Sequence, residues 1–307
     1  MRFATIERTN GTAAVVAVSD TEVAVLPDGF TDVARVVAAS EGDRAAAVGQ
    51  ALRTGRCLPV AELSWLPPVP RPGKVLCVAL NNSANPDRIL SGPDTPALFL
   101  KPATALVGHG RAIRLRKDDG RVHPEPELAV VIGRSATDVD RADALSHVFG
   151  YTVLNDITAP GLRAEDTFHY GAIHPDPQAA DGVRTVESWV SYPGRYKGSD
   201  TFAPMGPWVV TADEVPDPHA LRITCSHDGR TVTDDTTAHL RFDVAQVIAF
   251  ASRYLTLEPG DVIGMGTALR RSATGGAVQN LDLNRLGGRV EITIDRVGTL
   301  ANTVEWR

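Results

Sequence analysis

The chain of 307 residues has only three cysteines, Cys57, Cys77 and Cys225. They are odd in number and far apart, which excludes a disulfide framework and a cysteine-ligated zinc site. Each reads most simply as a small buried apolar residue. No run of Lys and Arg occurs, and the net charge is −6, which argues against a nucleic-acid partner. No uncharged apolar stretch approaches the ~20 residues that a bilayer span requires. The start, MRFATIERTNGTAAVVAVSD, lacks the basic and apolar pattern of a secretory signal. A cytoplasmic protein is the expectation. Internal repeats and low-complexity tracts are absent too. Strands and helices do not alternate regularly, which argues against a Rossmann sheet or a TIM barrel.

What is present divides near residue 70. Phe3–Ile6 and Ala13–Val18 read as strands joined by an Asn10-Gly11 turn. Helices are expected over Val33–Ala39 and about Arg44–Thr54. Leu66 to Gly73 holds Pro67, Pro68, Pro70 and Pro72 and reads as an extended linker. The chain thus divides into two units: residues 1–70, a small α+β unit with its linker, and residues 71–307, a mostly β domain of barrel or roll type. The larger unit opens with apolar strands at Lys74–Leu80, Ala97–Leu100, Leu128–Ile132 and Tyr151–Leu154. A short helix is expected over Asp140–Val148, and a second after Asp243, whose apolar face carries Val244, Val247, Ile248 and Ala251. Asp261–Met265 and Arg289–Ile294 read as the closing strands.

Four local patterns carry chemistry. In His123-Pro124-Glu125-Pro126-Glu127-Leu128, residues two apart in a strand share a face, so Glu125 and Glu127 lie roughly 7 Å apart at Cα. Two carboxylates at the mouth of a buried strand repel unless something neutralises them, and a divalent cation does so. His123 is either a third ligand or a rim residue. Asn155-Asp156 ends the next strand, where it either makes a turn or offers Asp156 to the same ion. An all-oxygen set of this kind suits Mg²⁺ or Mn²⁺. Lys197 precedes a Gly/Pro-rich segment that runs to Trp208 and can present an ammonium to a cleft. Gly260, Gly264 and Gly266 let backbone amides approach an anion closely.

In this order, the patterns resemble the fumarylacetoacetate hydrolase family. The resemblance runs from about Lys74 to the C-terminus. It includes Phe99-Leu100-Lys101-Pro102, the Glu125/Glu127 strand, Gly150-Tyr151 with Asn155-Asp156, Lys197 with Asp200–Trp208, and Gly260-Asp261-Val262-Ile263. It implies an α+β, mostly β fold, with a mixed β-roll catalytic domain beside a small N-terminal domain, and a homodimer. It implies that Glu125, Glu127 and Asp156 hold Mg²⁺ or Mn²⁺, that Lys197 is catalytic and contacts substrate or metal-linked water, and that Lys101, Gly266 and Thr267 bind a 2-oxo acid. The implied chemistry passes through a metal-stabilised enolate, in C–C hydrolysis or in isomerisation or decarboxylation. Dehydration of a 2-keto-3-deoxy sugar acid is the alternative, as is a non-catalytic 2-oxo acid binder.

Three departures qualify the resemblance. Asn85 and Arg88 stand where the family commonly carries a His and a Glu, and neither is a good general base. Pro160 replaces the usual Arg after Asn-Asp-x-Thr-Ala, and Ala268 replaces the proline of Gly-Thr-Pro. His169, in a long segment expected to act as a lid, is the substitute base that the sequence offers, with Glu165 or Asp166 to orient it.

Overall fold

The computed structural model describes residues 1–54, 57–84, 89–270 and 278–307. Asn85 and Arg88 lie outside the described residues. The architecture is α+β and dominated by strands, in a twelve-stranded sheet, a five-stranded sheet and an isolated two-stranded hairpin. Most pairings are antiparallel. Among the described residues, no helix is long and apolar enough to cross a membrane.

The N-terminal strands Arg2–Arg8 and Gly11–Ala17 pair as a hairpin. Asp32 caps the helix Val33–Ala38 by accepting from the Arg35 amide, and the second helix spans Glu41–Thr54. This unit joins the larger one through the sheet itself, with Phe3 opposite Val209 and Arg2 opposite Val210. The proline segment takes no regular structure, yet Pro67, Pro68 and Val69 are buried. Thr5 Oγ1 donates to Pro68 O at 2.6 Å and ties it to the first strand.

Four strands bring the candidate site residues together. Pro126–Ile132 is buried at every residue. On one side it pairs antiparallel with Val148–Asn155, and on the other antiparallel with Val262–Gly264. Val75–Ala79 then runs parallel to Val262–Gly264. With these directions, the start of Pro126–Ile132 meets the ends of the other three. Residues 125–127, 155–156, 264–267 and 80–81 therefore collect at one edge. Asp243 and Gln246 form a capping box on the helix Val244–Ser252, whose Val244, Val247, Ile248 and Ala251 are buried in the core beneath the sheet.

Two expected elements differ. Over Asp140–Val148 only Ala144–His147 is helical, as a 3₁₀ turn. Asp143 gives it no side-chain cap, and Val148 is claimed by sheet pairing with Ile132. The segment expected as a lid loop is a short helix, Pro160–Glu165, followed by a hairpin of Thr167–Pro175 with Val183–Ser191. Its alternation is hard to read because both of its faces are largely exposed, so no core imposes a pattern.

Candidate metal centre

Glu125, Glu127 and Asp156 converge as the strand ends dictate. One carboxylate oxygen from each lies within 4.8 Å of the others. Backbone contacts fix the approach: the Asp156 amide donates to Glu125 O at 2.9 Å, and the Glu125 amide donates to Asn155 Oδ1 at 2.9 Å. Asn155 thus orients the loop that presents its neighbour.

Just beyond the strand Val262–Gly264, the Gly266 amide donates to Glu127 Oε2 at 3.1 Å. Thr267 Oγ1 lies 2.8 Å from Glu125 Oε2 and 3.3 Å from Glu127 Oε1. Close approach needs glycine here. A Cβ on Gly264 would sit 2.6 Å from Glu127 Oε2, and Gly266 adopts φ +100° beside Asn81. Asn81 secures that turn, donating to Met265 O at 2.8 Å and accepting from the Phe242 amide at 2.7 Å.

Lys197 stands on the helix Gly194–Gly198, with Nζ 2.8 Å from Glu125 Oε2 and 2.5 Å from Asp156 Oδ2. Its ammonium also lies over the Phe99 ring at 5.1 Å. Burial works against the charge on Lys197, but Asp156 and Glu125 outweigh it and hold the group well above its ordinary pKa. Glu125 is half-buried, yet Lys197 and His123 outweigh that burial and draw its carboxyl well below the usual range. His123 Nε2 lies 3.0 Å from Glu125 Oε1, while its Nδ1 is buried without a partner among the described residues. Glu127 goes the other way. Burial, then the charges of Asp156 and Glu125, push its carboxyl well up. Three clustered carboxylates with one member forced towards its neutral form make a site short of positive charge. The donors are all oxygen, which fits a hard divalent cation.

These groups line a cavity of about 300 Å³, together with apolar Val78, Leu98 and Phe99 and polar Thr158, Arg163 and Tyr196. Thr267 lines it also; Gly266 faces Glu127 from behind. Lys101, expected to bind substrate, is placed differently. Its ammonium is fully buried, bonds Asp156 Oδ1 and donates to Ile157 O at 3.3 Å. It does not line the cavity and holds Asp156 from behind.

The structure does not bring His169 or Glu165 to the carboxylates. His169 sits on the hairpin with its side chain 56% exposed, its Nε2 2.7 Å from Glu187 Oε1, and its ring stacked on Trp189 at 4.3 Å. Glu165 does not orient it: Arg195 Nη2 takes Glu165 Oε2 at 2.9 Å and Asp166 Oδ1 at 2.8 Å. Cross-strand pairing, invisible in the linear spacing, supplies Glu187 and Trp189 instead. Sequence reasoning misses Arg163 and Tyr196 as residues of the site. Tyr196 directly precedes Lys197, and that adjacency is the only signal for it.

Residues 74–305 match the family model described as fumarylacetoacetate (FAA) hydrolase C-terminal. The chain is 33% identical over 248 residues to a mitochondrial oxaloacetate tautomerase of Bos taurus, a match covering 80% of this chain and 71% of that protein. Maleylpyruvate hydrolase from Sphingobium sp. SYK-6, in complex with manganese (II) ion and pyruvate, is similar in structure, with a TM-score of 0.74 at 30% identity. That match covers 100% of this chain and 99% of the other. A 5-carboxymethyl-2-hydroxymuconate delta-isomerase from Mycobacterium smegmatis gives a TM-score of 0.70 at 30% identity, with coverage of 100% and 99%.

Proposed function

The chain belongs to the fumarylacetoacetate hydrolase family, and on that premise we propose that it is a divalent-metal-dependent enzyme acting on a 2-oxo acid or its enol. The observation that carries the reading is the convergence of Glu125, Glu127 and Asp156 within 4.8 Å, with Lys197 against two of them. These three carboxylates would hold Mg²⁺ or Mn²⁺. The ion would supply Lewis acidity at the 2-oxo group and favour the enolate form of a bound acid.

The protein's own groups then divide the work. Lys197, paired with Asp156 and Glu125, serves as a donor to developing negative charge. Lys101 fixes the direction of Asp156, and Thr267 with the Gly266 amide fixes Glu127. Phe99, Leu98 and Val78 give the carbon skeleton an apolar wall that excludes water from one side.

Within the family's reactions, moving a proton between enol and keto forms fits this chain best. Hydrolysis asks for an activated water, and Asn85 and Arg88 stand where a His and a Glu would provide it. Enol–keto interconversion needs no water as nucleophile. The bovine relative carries the name of such an activity. We take a homodimer, and the division into residues 1–70 and 71–307, as part of the same reading; light scattering that returned a monomer mass would refute the dimer.

The test follows enol decay in the ultraviolet with purified protein, oxaloacetate as substrate, and Mn²⁺, Mg²⁺ or EDTA. Metal-dependent acceleration over the buffer rate is expected. Equal rates with and without metal would overturn the reading, and release of pyruvate from an acylpyruvate at a higher kcat/KM would favour hydrolysis.

A further inference from the structure

The hairpin of Thr167–Pro175 with Val183–Ser191 takes no part in the carboxylate cluster. It forms a sheet of its own, and neither outer edge pairs with another strand among the described residues. Nor does it pack extensively on any other element among them. A two-stranded hairpin is marginal in water unless something covers it. Its side chains are nonetheless those of an interior. Phe168, Tyr170, Ile173, Val183, Trp189 and the adjoining Tyr192 are 39–75% exposed. At roughly 100 Å² of free surface each, against the 150–250 Å² that an aromatic side chain can bury, they leave about 600 Å² open to water. That equals the largest apolar patch of a typical monomer.

The edges also lack the usual protection. Natural sheet edges are blunted by Lys, by an interior Pro or by a bulge. Neither strand has a Lys, the only Pro ends the first strand, and the register runs unbroken from Thr167↔Ser191 to Pro175↔Val183. Val183–Ser191 is, moreover, complementary to itself. Laid antiparallel against a second copy about Val186, it sets Val183 opposite Trp189, Arg184 opposite Ser188 and Thr185 opposite Glu187. No like charges meet. A twofold axis makes each of these contacts twice. If each copy contributes its open apolar surface, the pair buries about 1,200 Å², which reaches the range of stable interfaces.

We propose that a second copy of this chain docks on the hairpin, edge to edge through Val183–Ser191 across a twofold axis. This deepens the homodimer reading above by naming its contact. It also bears on the cavity. Trp189, Val190 and Ser191 border a surface depression that shares Ser191 and Tyr196 with the cavity. Docking therefore steadies one wall of the site as well as covering the hairpin.

Sedimentation velocity over a micromolar dilution series of the full chain tests this, with circular dichroism to confirm folding. One variant replaces residues 168–190 by an Asn-Gly turn. Thr167 and Ser191 already face each other with their hydroxyls 2.6 Å apart, so a tight turn closes the gap. The wild type should sediment as a dimer and the trimmed variant as a monomer. Trp189→Asp should raise the dimer dissociation constant about 30-fold or more, the scale of one interface hot spot. Thr185→Glu should weaken the dimer and Thr185→Lys should not, because each faces Glu187 of the partner subunit. A folded, trimmed variant that stays dimeric, or a Trp189→Asp variant with the wild-type dissociation constant, would overturn the hairpin contact and leave the homodimer reading standing. Equal effects of the two Thr185 changes would overturn the edge pairing. A monomeric wild type would overturn both the contact and the homodimer. If the trimmed variant does not fold, the point variants decide.

Discussion

Lys197 and Asp156 lie 41 positions apart in the chain, yet their side chains meet with Nζ 2.5 Å from Oδ2. The same ammonium reaches Glu125, so one lysine bridges two of the three carboxylates. That position makes it a charged donor close to any oxygen bound at the cluster. Lys197→Met should therefore lower turnover by about 100-fold or more, the scale found when a preorganised donor is removed. Metal binding should survive, because the substitution also removes a cation that competes for the same oxygens. Calorimetric titration with Mn²⁺, alongside enol-decay kinetics, separates the two effects. An unchanged rate would make the lysine peripheral.

Glu127 gives a prediction with a sign in pH. Burial and the charges of Asp156 and Glu125 raise its pKa in the folded, metal-free protein. A raised folded-state pKa means that stability is lost as pH rises through that value, since ionisation is easier in the unfolded chain. Bound metal reverses the penalty, so the rise in Tm on adding Mn²⁺ should grow with pH. Its size follows ligand linkage, about 2.7 kcal/mol at a hundredfold excess over Kd. Glu127→Gln keeps the shape and the contacts to Gly266 and Thr267 but removes the charge. It should abolish both the Tm shift and its pH dependence. Scanning calorimetry from acid to alkaline pH reads this, and a full metal-induced shift in the variant would remove Glu127 from the ligand set.

The parts of this site that were legible in the sequence are those governed by strand geometry. Glu125 and Glu127 sit two apart before an apolar run, and Asp156 ends the next such run. Antiparallel pairing brings those ends together with no other information. Lys101 was legible as a site residue but not in its role, because its position behind Asp156 depends on how the sheet folds over. His169 failed for a different reason. Nearness in sequence to Asp156 placed it near the metal, but the helix Pro160–Glu165 turns the chain outward into a hairpin of its own. Arg163 lies at that turn, facing the cavity that His169 leaves.

The cysteines offer a check on the core that is independent of function. Burial raises Cys225 to about 12, and burial together with the Asp156 and Glu127 charges raises Cys77 well above its ordinary value. Cys225 is fully buried, so no reagent has a path to it. Cys57 is exposed. Iodoacetamide under native conditions should modify Cys57 alone, and all three after unfolding in guanidinium chloride. Intact and peptide mass spectrometry counts the adducts. Native labelling of Cys225 would contradict the burial of its side chain in the strand Arg222–His227.

Asp235 supports the last prediction, because it ties together two segments that line the cavity. Its carboxylate is buried and accepts at Oδ2 from Asn82 Nδ2 at 3.1 Å and from the Leu269 and Arg270 amides at 2.9 and 3.1 Å. Oδ1 accepts from the Thr236 amide at 2.8 Å and lies 2.5 Å from His239 Nδ1. Asn81 and Leu269, which flank these anchors, line the cavity. Burial alone would raise the Asp235 pKa, but His239, the Arg270 and Thr236 amides and Asn82 outweigh it and lower the value. A lowered folded-state pKa contributes stability above the unfolded value, near 4 for aspartate, that is lost as pH falls through the folded value. Asp235→Asn turns an all-acceptor group into one whose amide faces amide donors. The expected cost is about 2–3 kcal/mol, the scale of hydrogen bonds to a charged group. The variant should lose less of its remaining stability than the wild type as pH is taken below about 4. Displacement of Leu269 and Asn81 should raise KM more than it lowers kcat. Thermal unfolding between neutral and acid pH, paired with steady-state kinetics, tests both halves. An Asn variant with the wild-type acid limb and an unchanged KM would show that Asp235 holds neither segment in place.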